Sequence, residues 1–343
     1  MILDPADLHA GEGREKVEQA LGRFSVEEAR DAAAFDEGYR ALDAEFGARG
    51  ELERREVLQT WFAGPRVPPA GWWSGGWTRG EGGDVRCRYH LLLARDQEGR
   101  LAGARDCFVS VDLAAPGVDA RARCVVLLSH SLVLPAYRRS GLAALLRAAP
   151  VALARRAVEE VGVAVGAAEI VLAGEMEPVA PEEPDTVIRM IAYGRAGFRA
   201  MPPAIYPYAQ PDFRDVAALG VPAVPLPLVM VVRQVGEEGR ADMPRARAEA
   251  ILRQVQSVHA CDCGLADIAL IRDHALHALA AFGGDPIPLF ALPAGRDQLA
   301  ALAPLLRSAV LPLYPAAWRR AEPGDPAEEL AALVAAWGPG RAG

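Results

Sequence analysis

The sequence predicts a mixed α/β fold with a mainly helical C-terminal extension, and three features carry that prediction. Three apolar runs, residues 85–95, 101–112 and 123–135, are separated by turn-forming stretches and read as an antiparallel meander. A long helical pattern over 138–161 follows the third run directly, and a short buried strand over 168–173 follows the helix. Beyond Gly239 apolar residues recur at helical spacing, with a single short strand signal at 287–292.

In chain order, Ser25 and Glu28 stand at capping-box spacing, which predicts a helix from Ser25 to about Phe46. A second helix covers 52–62. Residues 64–83, rich in Gly and Pro and holding Trp72, Trp73 and Trp77, form a loop too long for a mere connector. The meander follows, and then the helix over 138–161, which contains Pro150 and is closed by Gly162. After the strand at 168–173 come an acidic, Pro-containing loop over 175–185, a helix over 186–196 and an apolar strand over 226–234. The charged, Gly-containing stretch 236–243 marks a boundary, so the expected domains are 1–238 and 239–343. In the second, helices over 245–259 and 265–282 and another near 298–308 have apolar faces that must pack on the first domain or on a second copy in a homodimer.

The composition excludes several classes. The chain has 343 residues, a formal net charge of −8 and a pI near 5.4, so no domain-wide basic field exists to hold a phosphate backbone, and nucleic acid is excluded as a partner. No apolar run approaches the ~20 residues of a spanning helix, and Met1 to Pro5 show no leader pattern, so no membrane partner is expected. Five sparsely used cysteines point to reduced thiols in the cytoplasm.

The stretch with chemistry in it is Leu132 to Ala143: Leu132-Val133-Leu134-Pro135-Ala136-Tyr137-Arg138-Arg139-Ser140-Gly141-Leu142-Ala143. A strand that turns into a helix aims unpaired backbone N–H groups and the positive end of the helix dipole at one point, which makes an anion site. Gly141 lets a phosphate approach the backbone, and Arg138 or Arg139 adds a cation. The residues by themselves describe a pyrophosphate cradle for a nucleotide, coenzyme A or a phosphorylated metabolite.

Arg138-x-x-Gly141-x-Ala143, with its lead-in Val133-x-Pro135-x-Tyr137, resembles the Arg/Gln-x-x-Gly-x-Gly/Ala signature of the GCN5-related N-acetyltransferase (GNAT) superfamily. Tyr193-Gly-Arg-Ala-Gly197-Phe198 resembles the Tyr-x-x-x-Gly-Phe that closes the superfamily's next helix. The resemblance covers about residues 25–234. It implies a GNAT-like twisted mixed sheet flanked by helices, splayed between the strands at 123–135 and 168–173, with acetyl-CoA as co-substrate in the cleft. Pantetheine would pair with Leu132, Val133 and Leu134, and the pyrophosphate would sit on the amides of Arg139, Ser140, Gly141, Leu142 and Ala143. Members usually open with a strand, for which only residues 1–3 are available, so the first strand is in question.

The reaction so implied is direct transfer of an acetyl group to an amine acceptor, a small molecule or a peptide, in a ternary complex. Tyr193 aligns with the phenol that protonates the leaving thiolate. Glu175, directly after the strand, is the candidate base, with Glu177 beside it to hold an acceptor ammonium; a solvated acidic loop is the competing reading. His130 has the intrinsic pKa of a base, but strand alternation turns it away from the face of Ser129 and Ser131 unless a bulge intervenes. Trp72, Trp73 and Trp77 form either an aromatic lip over a cationic acceptor or an apolar plug. His259, Cys261, Cys263, His274 and His277 have ligand chemistry but lack a familiar zinc spacing, so no metal is expected. The alternative function is a non-catalytic acyl-CoA-binding or regulatory module that keeps the cradle without turnover.

Overall fold

The structure, a computed structural model, describes residues 14–47, 52–69, 72, 85–112, 122–213, 220, 223–319 and 323–338. It is a mixed α/β structure with a mainly antiparallel sheet flanked by helices. The chain divides into two compact units, Met1–Ala173 with Arg253–Asp262, and Gly174–Leu252 with Cys263–Gly343. The division falls at Ala173, well before the boundary expected from the charged stretch at 236–243.

In the first unit, α1 (Arg14–Leu21) leads into β1 (Phe24–Glu28), α2 (Ala32–Phe46) and α3 (Arg55–Phe62). Then come β2 (Val85–Asp96), β3 (Leu101–Asp112), β4 (Ala122–Val133), α4 (Leu142–Glu160) and β5 (Ala168–Met176), whose last residues belong to the second unit. The sheet order is β1-β2-β3-β4-β5, with the pairs β1-β2, β2-β3 and β3-β4 antiparallel. The expected meander is therefore present.

The expected helix start at Ser25 is corrected. Residues 24–28 alternate buried Phe24 and Val26 with exposed Ser25 and Glu27, which is the period of a strand. The helix begins six residues later, where the Asp31 carboxylate accepts from the Ala34 amide at 2.9 Å. This strand supplies the opening element that the sequence left in question, while residues 1–3 lie outside the described residues.

Helices cover both faces of the sheet, as strand alternation shows. Tyr89 and its cross-strand partner Phe108 meet Trp61 of α3, with Phe108 5.2 Å from Tyr89 and 5.0 Å from Trp61. The adjacent His90 points to the other face, where Glu28 links it to Arg156 of α4. Gly103 lies on that face too: a side chain there would collide with the Leu132 carbonyl beneath Leu142 and Leu146. β3 is almost wholly buried because it is covered on both sides.

One helix of the expected extension belongs in part to this first unit. α6 (Arg245–Ala260) contributes its second half, where Arg253 pairs with buried Asp112. The side-chain amide of Gln254 donates to the carbonyls of Ser110 and Arg123 at 3.1 and 3.0 Å. The sequence offers no sign of this partnership, because the paired residues lie 141 positions apart.

The second unit is built around β8 (Leu226–Gln234), which pairs antiparallel with β6 (Arg199–Ala200) and β7 (Tyr208–Gln210). β11 (Phe290–Ala291) pairs with β6, and β9 (Asp242–Met243) with β10 (Ile287–Pro288). Its helices are α5 (Pro184–Arg195), the first half of α6, α7 (Leu265–Phe282), α8 (Arg307–Val310) and α9 (Pro326–Trp337). The helix expected near 298–308 is instead a 3₁₀ stretch, Arg296–Leu305, kinked at Gln298, with Pro304 near its end, and followed by the short α8.

Candidate functional site

The strand that leads to the cradle is bulged. Arg105 pairs with Ser131 and Cys107 with Leu128, so Asp106 alone stands opposite both Ser129 and His130. The extra residue on β4 reverses the face of His130, which lies against Asp106 and the Phe46 ring, 4.9 Å away. The bulge was the condition on which His130 depended.

Beyond β4, Pro135–Tyr137 forms a 3₁₀ turn, and Arg138 is extended with φ −62° and ψ 149°. Arg139 and Gly141 both have positive φ, 65° and 86°. Two left-handed residues flanking Ser140 bend the chain sharply into α4, and glycine is suited to the second because it carries no Cβ penalty there. Left-handed backbone at arginine is uncommon and costs ~1 kcal/mol or more, the kind of strain that collects at ligand sites. The Ser140 hydroxyl donates to the Tyr137 carbonyl at 2.5 Å, tying the turn together. Tyr137 anchors it to the sheet by donating to Asp96 at 2.6 Å. This hydrogen bond and those from Arg100 hold the Asp96 carboxyl well below the usual carboxylate range, against a smaller opposing effect of burial. Gly141, at the N-cap of α4, has no side chain to offer the first amides, the Leu142 amide donates to the Ser140 hydroxyl at a long 3.4 Å, and Arg138 and Arg139 are exposed. Leu132 is buried, while Val133 and Leu134 are half-buried. This turn therefore combines a helix N-terminus with two exposed cations, and it can receive a polyanion.

Tyr193 and Glu175 belong to the second unit. Tyr193, on α5, is buried and meets Phe198 edge to face at 4.7 Å. Gly197 has φ 79° and the Phe198 amide donates to the Tyr193 carbonyl at 3.0 Å, which is how Gly-Phe closes the helix. A Cβ on Gly174 would lie 3.8 Å from the Tyr193 ring, so Tyr193 packs beside β5 next to Glu175. Glu175 is inside β5 rather than after it, and it accepts a hydrogen bond from the buried Tyr208 hydroxyl. Burial and the Glu175 carboxylate push that phenol well up. Tyr314 steadies this arrangement from below, its hydroxyl 2.7 Å from the Tyr208 carbonyl.

The rest of the acidic loop is tied down within its unit. Glu177 pairs with Arg189, and Glu182 and Glu183 with Arg307. Trp72 is buried, with the Arg253 guanidinium 6.0 Å from its ring centre, an arrangement that fits a plug; Trp73 and Trp77 lie outside the described residues. Cys124 is fully buried, and burial pushes its thiol up to about 12, which removes it as a nucleophile. His274 packs on Tyr314 and Trp318, and Cys261 donates to the Ser257 carbonyl. Among the described residues no group of three His, Cys, Asp or Glu side chains is arranged to hold a metal.

Several polar residues at these sites carry no motif. Asp106, Tyr89 and Glu53 surround His130, and Tyr208 holds Glu175. Asp106 left one trace, a carboxylate beside Arg105 in the middle of a mostly apolar strand.

No protein-family model matches this sequence, and no curated protein matches it. Solved structures similar to this chain are GNAT acetyltransferases at low identity. One is the GCN5-related glucosamine N-acetyltransferase region of a fungal multi-domain β-N-acetylglucosaminidase, 19% identical with a TM-score of 0.31; the match covers 52% of this chain and 17% of that one. Another is an acetyltransferase of the GNAT family from Staphylococcus aureus, 9% identical over 62% of this chain and 99% of that one, with a TM-score of 0.31. An aminoglycoside 6'-N-acetyltransferase complexed with coenzyme A is 11% identical over 62% of this chain and 97% of that one, with a TM-score of 0.29.

Proposed function

We propose that this chain is a GNAT-type N-acetyltransferase that moves an acetyl group from acetyl-CoA to an amine by direct transfer in a ternary complex. The observation that carries the reading is the turn between β4 and α4, where left-handed Arg139 and Gly141 open a helix N-terminus behind a bulged strand. In this reading the pantetheine arm adds to the strand edge at Leu132, Val133 and Leu134. The pyrophosphate sits on the amides of Arg139 to Ala143, with Arg138 and Arg139 screening its charge. Tyr193 protonates the departing thiolate, Glu175 is a candidate to accept the amine's proton, and Glu177 and Trp72 are candidates for acceptor contacts. The acyltransferase stretch is 1–238, and 239–343 is an extension used for packing or homodimer formation. The compartment is the reducing cytoplasm, in keeping with five free cysteines.

The engagement of Glu175 by Tyr208 favours a second reading, a non-catalytic acyl-CoA-binding module, since it occupies one of the proposed bases. An amine library offered with acetyl-CoA separates the two. Thiol release with at least one amine supports the enzyme; tight CoA binding with no thiol released by any amine supports the module.

A further inference from the structure

His130 stands in a buried polar cluster contributed by five parts of the first unit. The Asp106 carboxylate on β3 has zero exposure, and it accepts from the His130 backbone amide at 2.6 Å. It also lies 3.1 and 3.2 Å from the His130 ring atom Nδ1 through its two oxygens. Tyr89 on β2 donates to the same carboxylate at 3.3 Å. Glu53, just before α3, has a buried oxygen, Oε2, with no hydrogen-bond partner. Burial pushes its carboxyl up, with His130 and His259 of α6 close enough to oppose that and Asp106 close enough to add to it. One residue, Asp106, thus fixes both the backbone at the bulge and the ring that the bulge turns over.

The geometry points to Asp106 as the positioning residue for His130, which becomes the base that deprotonates the acceptor amine in place of Glu175. The inference rests on the acetyltransferase reading. With Nδ1–H donating to Asp106, the basic nitrogen of the neutral ring is Nε2. An acceptor ammonium gives one proton to Nε2, and the neutral amine attacks the thioester carbonyl carbon. As C–N forms, C–S breaks and the thiolate leaves with the electron pair, taking up a proton from Tyr193, whose phenol recovers the second proton of the attacking nitrogen. The third stays on the amide, and His130 returns its proton to solvent.

Nitrogen NMR of the His130 ring in the full-length protein reads the tautomer without any acceptor. The expected result is a proton on Nδ1 above the midpoint; a proton on Nε2 overturns the proposal. In Asp106→Asn the midpoint should fall, because the imidazolium loses its carboxylate partner. The acid limb of the pH–rate profile for thiol release, with acetyl-CoA and an amine found in the library, should move to lower pH with it. An unmoved midpoint in folded Asp106→Asn overturns the proposal. Because Asp106 is fully buried and its variant can fail to fold, His130→Gln carries the kinetic arm. It should lower kcat at least about a hundredfold and remove the acid limb while CoA binding is unchanged; a retained limb overturns the proposal. Failure of the wild type to bind CoA would refute the acetyltransferase reading instead, with the ring measurement still deciding the role of Asp106.

Discussion

Tyr193 and His130 show how differently two candidate side chains depend on what surrounds them. Tyr193 was legible from its motif, because Gly197 and Phe198 mark the helix end that fixes it, and the structure closes that helix through the Phe198 amide. His130 was not, because its face is set by how many residues of β4 lie opposite Asp106, which no local pattern records. The same holds for Tyr208, whose hold on Glu175 spans 33 positions. If Tyr193 gives a proton only as the thiolate leaves, Tyr193→Phe lowers kcat at least about tenfold and leaves acetyl-CoA affinity unchanged. Equal losses in affinity and turnover would mark the ring as packing on Phe198 instead.

At the level of elements, strands β2 to β4 and β8 were readable because apolar runs bounded by turns survive in any context. β1 was not, since Ser25 and Glu28 mimic a capping box while Asp31 is the residue that caps. Glu28 instead ends the strand and joins β1, β2 and α4. Burial alone would raise its carboxyl, but hydrogen bonds and charge from His90 and Arg156 outweigh that and lower it from 4.5 to about 2. A carboxylate depressed in the folded state stabilises the fold above its unfolded pKa, and that contribution fades as pH falls through the folded value. The wild type should therefore lose about 3 kcal/mol between about pH 5 and pH 2 on this account. Denaturant titrations across that range should show Glu28→Gln lacking this part of the slope; equal slopes in both proteins would mean the triad contributes nothing.

For the whole molecule, the turn the motif pointed to is present between β4 and α4, while the compact units divide the chain elsewhere than the charged stretch does. The charged stretch at 236–243 is a local break, whereas the compact units are set by long-range pairs such as Arg253 with Asp112. A chain truncated after Glu238 loses Arg253 and Gln254 from the first unit. Taking the guanidinium from a buried carboxylate costs about 3 kcal/mol by itself, so the truncated chain should melt well below the full-length protein and lose solubility. An unchanged midpoint would show that the first unit is complete without α6.

The central claim is that the turn from Tyr137 to Leu142 binds the pyrophosphate of coenzyme A, and calorimetric titration of CoA into the full-length protein and Gly141→Glu tests it most directly. The glutamate places bulk and like charge on the anion site, while Gly141→Ala controls for the strain of a side chain at φ 86°. The account predicts that the wild type and the folded alanine variant bind CoA and that Gly141→Glu, still folded by its thermal midpoint, binds at least about a hundredfold more weakly. Equal affinity in the glutamate variant and the wild type would contradict it.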